Sequence, residues 1–205
     1  MQDEDRQVLI ANDFGGILPY HEAFYILSII YAAERADAAF QRFGRAYQNC
    51  ENSSQAMAAL QEALTHAAAL ARFFWPMKSK NKVTAARGKR LREAFALDDK
   101  SALADRELRN ALEHFDERLD DYLVQDEVGY FLPMPIVGKH DLADDCQGHI
   151  FKLVDPESRI CAILGRKFEF RSIQIETCSI LDLARQMDAN GSRLVAVAHS
   201  RPLTS

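Results

Sequence analysis

Leu108-Arg109-Asn110-Ala111-Leu112-Glu113-His114-Phe115-Asp116-Glu117-Arg118-Leu119-Asp120-Asp121-Tyr122 is the stretch whose reading decides the fold class. Its apolar residues Leu108, Leu112, Phe115, Leu119 and Tyr122 recur at steps of four, three, four and three, the period of a helix with one face turned to a core. Three similar segments precede it. A first helix starts near Pro19, a residue suited to an opening turn, and sets Ile26, Ile30, Ala33, Phe40, Phe43 and Tyr47 on one side. A second follows the capping residues Asn52-Ser53-Ser54, carries Met57, Leu60, Leu64, Ala67, Ala71 and Phe74, and stops at Pro76. A third, shorter helix spans roughly 83 to 96, with Val83, Leu91 and Phe95 as its apolar points. The fourth begins after Asp98-Asp99-Lys100-Ser101, close enough to the third that the two should be antiparallel neighbours.

Beyond Gly129 the pattern changes. Residues 130 to 148, rich in Pro, Gly and Asp, read as an irregular connection. Three short strands follow, 149 to 154, 159 to 164 and 167 to 170, with Asp155-Pro156-Glu157-Ser158 and Gly165-Arg166 as turns. A last helix runs from about Ser172 to Met187. The expected fold is therefore mainly α: an antiparallel helical bundle with a small C-terminal β-meander and a final helix. Its expected divisions are a bundle over 1–128, a connection over 129–147, strands and helix packed on the bundle over 148–190, and a tail over 191–205.

The composition fits a globular protein, with 48% hydrophobic and 27% charged residues in a chain of 205. A net charge of −5 gives no global attraction to nucleic acid. The acidic start, Met1-Gln2-Asp3-Glu4-Asp5, is not a signal peptide, and the longest apolar run, from Ala23 to Ala33, is about half of what a bilayer needs. No membrane association and a cytoplasmic location are expected. Cys50, Cys146, Cys161 and Cys178 contain no Cys-x-x-Cys pair and read as small buried hydrophobes.

On a helical wheel centred on the apolar stripe of 108–122, Arg109 lies about 100° to one side and His114 about 120° to the other. Asn110 is one turn before His114, so the two are neighbours. Arg, then Asn, then His five positions after the Arg resembles the motif of the HEPN family, here Arg109, Asn110 and His114, in the helical context that family uses. The resemblance implies a metal-independent endoribonuclease of RNA-processing or toxin type, needing no cofactor, whose site is shared between two copies of a homodimer. A protein antitoxin is a further partner that it implies. His114 would take the 2′-hydroxyl proton and Arg109 would hold the phosphate charge, with Asn110 orienting either. The residues also admit a plainer reading, in which Arg109 pairs with Asp105 and Glu113 and His114 is a surface or interface histidine. The protein would then be a non-catalytic HEPN-like binding or dimerisation module.

Lys78, Lys80, Lys82, Arg87, Lys89, Arg90 and Arg92 form a local basic segment without an acid among them. They are either a phosphate-contact surface for RNA or a solvated helix face. His140, Asp141, Asp144, Asp145, Cys146 and His149 gather metal-ligand types in no recognised ligand spacing, so a polar loop is the better reading. Gly15-Gly16 has no preceding strand and reads as a turn; Phe73, Phe74 and Trp75 read as core anchors and His66 as an interhelical residue.

Overall fold

The computed structural model describes residues 3–48, 52–76, 81–125, 129–144 and 148–194. The fold is mainly α, with seven α-helices among the described residues. A single turn of 3-10 helix at Pro19–His21 leads into α2 (Glu22–Gln48), and Asn52 caps α3 (Ser53–Phe74) by accepting the Ser54 amide at 2.9 Å. The two long helices pack antiparallel. Alanines line both contact faces (Ala32, Ala33, Ala36 and Ala39 against Ala56, Ala63, Ala67 and Ala71), so the backbones approach closely. Every apolar residue assigned to the second helix, from Met57 to Phe74, is buried.

Two core clusters extend along this pair. The first joins Ile26, Ile29 and Ala33 of α2 to Leu70 and Phe74 of α3, Leu91 of α4 (Lys82–Ala94) and Ile180, Leu181 and Ala184 of α7 (Arg171–Ala189). The second joins Phe40 and Phe43 to Met57, Leu60, Leu108 and Ala111 and to the strand residues Val154, Cys161 and Phe168. Phe170, fully buried, ties the strands to α2: its ring lies parallel to that of Phe40 at 6.5 Å and edge-on to that of Phe43 at 5.7 Å. Helix α7 runs antiparallel along α2, as the bonds Cys178–Asp37, Arg185–Glu34 and Leu194–Glu22 record. The last helix lies on the bundle, its Ile180-Leu181-Ala184 face sharing the first core cluster with α2.

The connection expected to be irregular over 129–147 contains two strands, β1 (Tyr130–Leu132) and β2 (Ile136–Val137), then a 3-10 turn at His140–Asp144. β1 pairs in parallel with β3 (Gly148–Ile150), and β2 adds in parallel to β4 (Lys152–Asp155). β4, β5 (Ile160–Ile163) and β6 (Arg166–Glu169) form the expected antiparallel meander. Runs this short carry too little periodicity to show which strand they join, since the pairing partners lie far along the chain. The hairpin turn falls at Leu164-Gly165, both at positive φ, one residue earlier than expected.

Three further differences concern the helices. Asp3–Asp13 forms α1, whose weak apolar face had given no signal; it packs on α4. Helix α4 rests on α1 and α3, and the chain from 95 to 106 is anchored away from it: the Ser101 hydroxyl and the Leu103 amide both donate to Glu176 of α7, at 2.7 and 2.9 Å. The expected hairpin of third and fourth helices is therefore not the packing observed. The fourth helix is also two, α5 (Glu107–Glu113) and α6 (Phe115–Gln125). Among the described residues no helix is long and apolar enough to cross a membrane.

Two helical glycines test the packing. A Cβ on Gly44 of α2 would meet nothing within 4 Å, whereas one on Gly88 of α4 would lie 2.8 Å from the Phe74 carbonyl and 2.7 Å from the Pro76 ring. In urea denaturation, Gly44→Ala should raise stability by about 0.5–1 kcal/mol. Gly88→Ala should lower it by about 1–3 kcal/mol despite the same gain in helix propensity.

Candidate functional site

Helix α5 sits on α3 through Leu108 and Ala111, while Phe115, Leu119 and Tyr122 of α6 lie against the cluster that includes the strand residue Phe151. Two different supports require two axes, and the break falls at His114 (φ −111, ψ 39). Backbone bonds from the His114 amide to Asn110 and from the Arg118 amide to His114 still bridge it. The motif is thus divided by a kink in a helix that its periodicity describes as continuous.

Arg109 and His114 occupy unlike surroundings. The Arg109 side chain is 19% exposed, and its Nη2 donates to Asn110 Oδ1 at 3.3 Å. Its Nε is buried without a hydrogen-bond partner, 3.7 Å from the Glu113 carboxylate, which lies equally far from Arg72. Burial lowers the pKa of this guanidinium; Arg106 and Arg72 act in the same direction and Glu113 against them. Of the two acids expected to pair with Arg109, Glu113 does so, while Asp105 accepts the Glu107 amide at the start of α5. His114 is 54% exposed, its Nδ1 3.6 Å from Glu117. Within one chain Arg109 and Asn110 are brought together and His114 has a separate partner.

Arg109 borders a cavity of about 310 Å³ between α3, α5, β6 and the start of α7. Its floor is apolar (Ala67, Ala71, Leu108, Phe168) and its rim holds Lys167 and Glu169. Both rim groups are engaged: Lys167 donates to Asp144 at 2.5 Å, and Glu169 caps α7 through the Arg171 and Ser172 amides and the Ser172 hydroxyl. Asp105 and Glu107 line the cavity as well, so acidic side chains outnumber the cations Arg109 and Lys167 around it.

The described arginines of the basic segment are turned to other parts of the chain. Lys78 and Lys80 lie outside the described residues. Arg87 donates to the Arg72 carbonyl and lies over the Tyr25 ring; Arg92 donates to the Phe74 carbonyl at 2.6 Å and lies over Trp75. Arg90 donates to the carbonyls of Phe14 and Ile17 and to Glu22. Only Lys82 and Lys89 of the described members are exposed, and Lys89 is 3.8 Å from Glu93. Guanidinium groups satisfied by carbonyls at helix and turn ends do structural work that a count of charges does not register.

Around His140 the polar-loop reading agrees with the geometry. His140 Nδ1 lies 2.8 Å from Asp155, whose other oxygen accepts the Glu157 and Ser158 amides in the expected Asp-Pro turn. Burial opposes ionisation of Asp155, but hydrogen bonds from Ser158 and from the His140 ring and amide outweigh it and hold the carboxyl well below the usual carboxylate range. Among the described residues no group of His, Cys, Asp and Glu could hold a metal ion; Cys50, Asp145 and Cys146 lie outside them. Burial pushes the Cys161 thiol up to about 12, and burial with Asp37 pushes Cys178 up to about 11, so neither is a nucleophile near neutral pH.

No family model matches the chain, and no curated protein or solved structure matches it either. Sequence reasoning overlooked an exposed stripe formed by Tyr20 of the 3-10 turn and by Phe24, Leu27 and Tyr31 of α2, which continues it. Its steps of four, three and four were visible, but within an apolar run they merged with the core face.

The Asp155 turn sets a pH dependence. Because the folded carboxyl has the lower pKa, its contribution is present above the unfolded value near ~3.9 and is lost as the pH falls below it. Asp155→Asn should be less stable than the parent at pH 7, and the gap should narrow progressively as the pH falls below ~3.9, read from urea midpoints across pH.

Proposed function

We propose that the chain is a HEPN-like, metal-independent endoribonuclease of RNA-processing or toxin type that works as a homodimer in the cytoplasm, with Arg109, Asn110 and His114 as its catalytic residues. The observation that carries this reading is the split at the α5–α6 break: Arg109 is sheltered at a cavity edge and His114 stands exposed beyond the kink. One chain offers half a centre on each flank. A second copy laid along α5–α6 would face its His114 toward the first copy's Arg109. Helix α6 is open to such a copy, having no fully buried residue, with Leu123 and Val124 exposed at its end.

In that arrangement His114 accepts the 2′-hydroxyl proton, the 2′-oxygen attacks phosphorus, and the 5′-oxygen leaves with a proton from solvent, giving a 2′,3′-cyclic phosphate. The Arg109 fork holds the charge that grows on the phosphate oxygens, and Asn110, already bonded to Arg109, keeps that fork in place. A toxin-type enzyme of this kind would be held in check by a protein antitoxin.

A second reading, a non-catalytic binding or dimerisation module, is favoured by the inward turn of Arg87, Arg90 and Arg92, which leaves few cations for RNA. Incubation with single-stranded and structured RNA in chelator separates the two. Wild type should cleave, and His114→Ala and Arg109→Ala should each cut the rate by about 10²–10⁴-fold, the span of a lost acid–base or charge-stabilising group. An inert wild type would favour the non-catalytic reading, and cleavage undiminished in His114→Ala would overturn the assignment of His114 as the base.

A further inference from the structure

Between residues 23 and 33 helix α2 carries no charged side chain. A helix apolar around its whole circumference is one that is covered on all sides. Its inner side is covered, by the core around Ile26, Ile29 and Ala33. Its outer side is not covered by any described residue: Tyr20, Phe24, Leu27 and Tyr31 are 64%, 64%, 50% and 66% exposed.

Three features specify what covers it. The steps of four, three and four read the same in both directions, so the stripe is symmetric about a point between Tyr25 and Ile26. A two-fold axis there sets two α2 helices antiparallel, with Tyr20 over Tyr31 of the other copy and Phe24 over Leu27, a self-matching contact built on the three-and-four spacing that helix pairs use. The four side chains expose roughly 450 Å² per copy. Two copies together offer roughly 900 Å² from these side chains, close to the ~1,000 Å² of a specific interface, and a hollow beside Phe24, Tyr25 and Phe73 adjoins them. Finally, charges agree at the ends: Glu34, on the flank facing α7, lies near one end of the stripe, and Arg193, bonded to the Pro19 carbonyl on the same flank, lies at the other. The same axis brings Glu34 of each copy toward Arg193 of the other.

We propose that this face binds a second copy of the chain through an antiparallel α2–α2 contact. It is separate from the α5–α6 contact that the proposed catalytic centre uses, and it stands whether or not that centre cleaves RNA. The test is the mass of the full-length protein by size-exclusion chromatography with light scattering, with circular dichroism and thermal melting to confirm that each variant is folded. Phe24→Glu with Leu27→Glu should halve the mass of the wild-type assembly, whereas His114→Ala should leave it unchanged. Because Tyr20 faces Tyr31, the single variants Tyr20→Arg and Tyr31→Glu should each weaken assembly and the two together should restore it. A wild type that is monomeric at all concentrations, or a folded Phe24→Glu/Leu27→Glu variant of unchanged mass, overturns the interface. Halving without restoration by the charge pair overturns the antiparallel register.

Discussion

The architecture depends on one buried ion pair. Glu22, the first residue of α2, is 5% exposed, and one of its oxygens accepts Arg90 of α4. Its other oxygen accepts the Leu194 amide at 3.0 Å and lies 3.8 Å from Arg193. Arg90 completes its fork on the carbonyls of Phe14 and Ile17. Four parts of the chain therefore meet at two side chains: the turn after α1, the start of α2, the middle of α4 and the segment beyond α7. Removing Arg90 would leave the buried Glu22 carboxylate with only the Leu194 amide and the more distant Arg193. The pair works because the turn that feeds it is so close to α4: at Gly16 (φ +82) a Cβ would fall 2.4 Å from the Val83 carbonyl.

This demand for partners also explains why the described arginines of the basic segment turn inward. A guanidinium near a helix end finds bare carbonyls close by, and Arg87, Arg90 and Arg92 all take them. Lys82 and Lys89, compact and strongly hydrated, stay outside. The guanidinium groups of this segment join α4 to the turn after α1 and to the end of α3. Arg109 of α5 combines a buried Nε, a tie to Asn110 and a place at a cavity edge. The break at His114 separates the surroundings of the two residues, Arg109 lying largely buried on α5 and His114 exposed beside Glu117.

Much of the fold was legible because its signals are local. The period of 57 to 74, the Asn52 cap and the Asp155-Pro156 turn are each read within a few residues and each is observed. What escaped reading depends on distant partners. β1 and β2 are ordered by parallel pairing with β3 and β4, which no local pattern announces. The three motif residues could be found as a spacing, but their separate environments could not.

Taken alone, then, the amino-acid order determined the helical class, the long α2–α3 pair and the helix that holds Arg109, Asn110 and His114, because periodicity, caps and breakers act over one or two turns. Tertiary structure decided where that helix kinks, which arginines face inward, and that α7 closes the bundle. These outcomes follow from the competition of buried polar groups and apolar faces for partners far along the chain, and that competition is settled only when the elements pack.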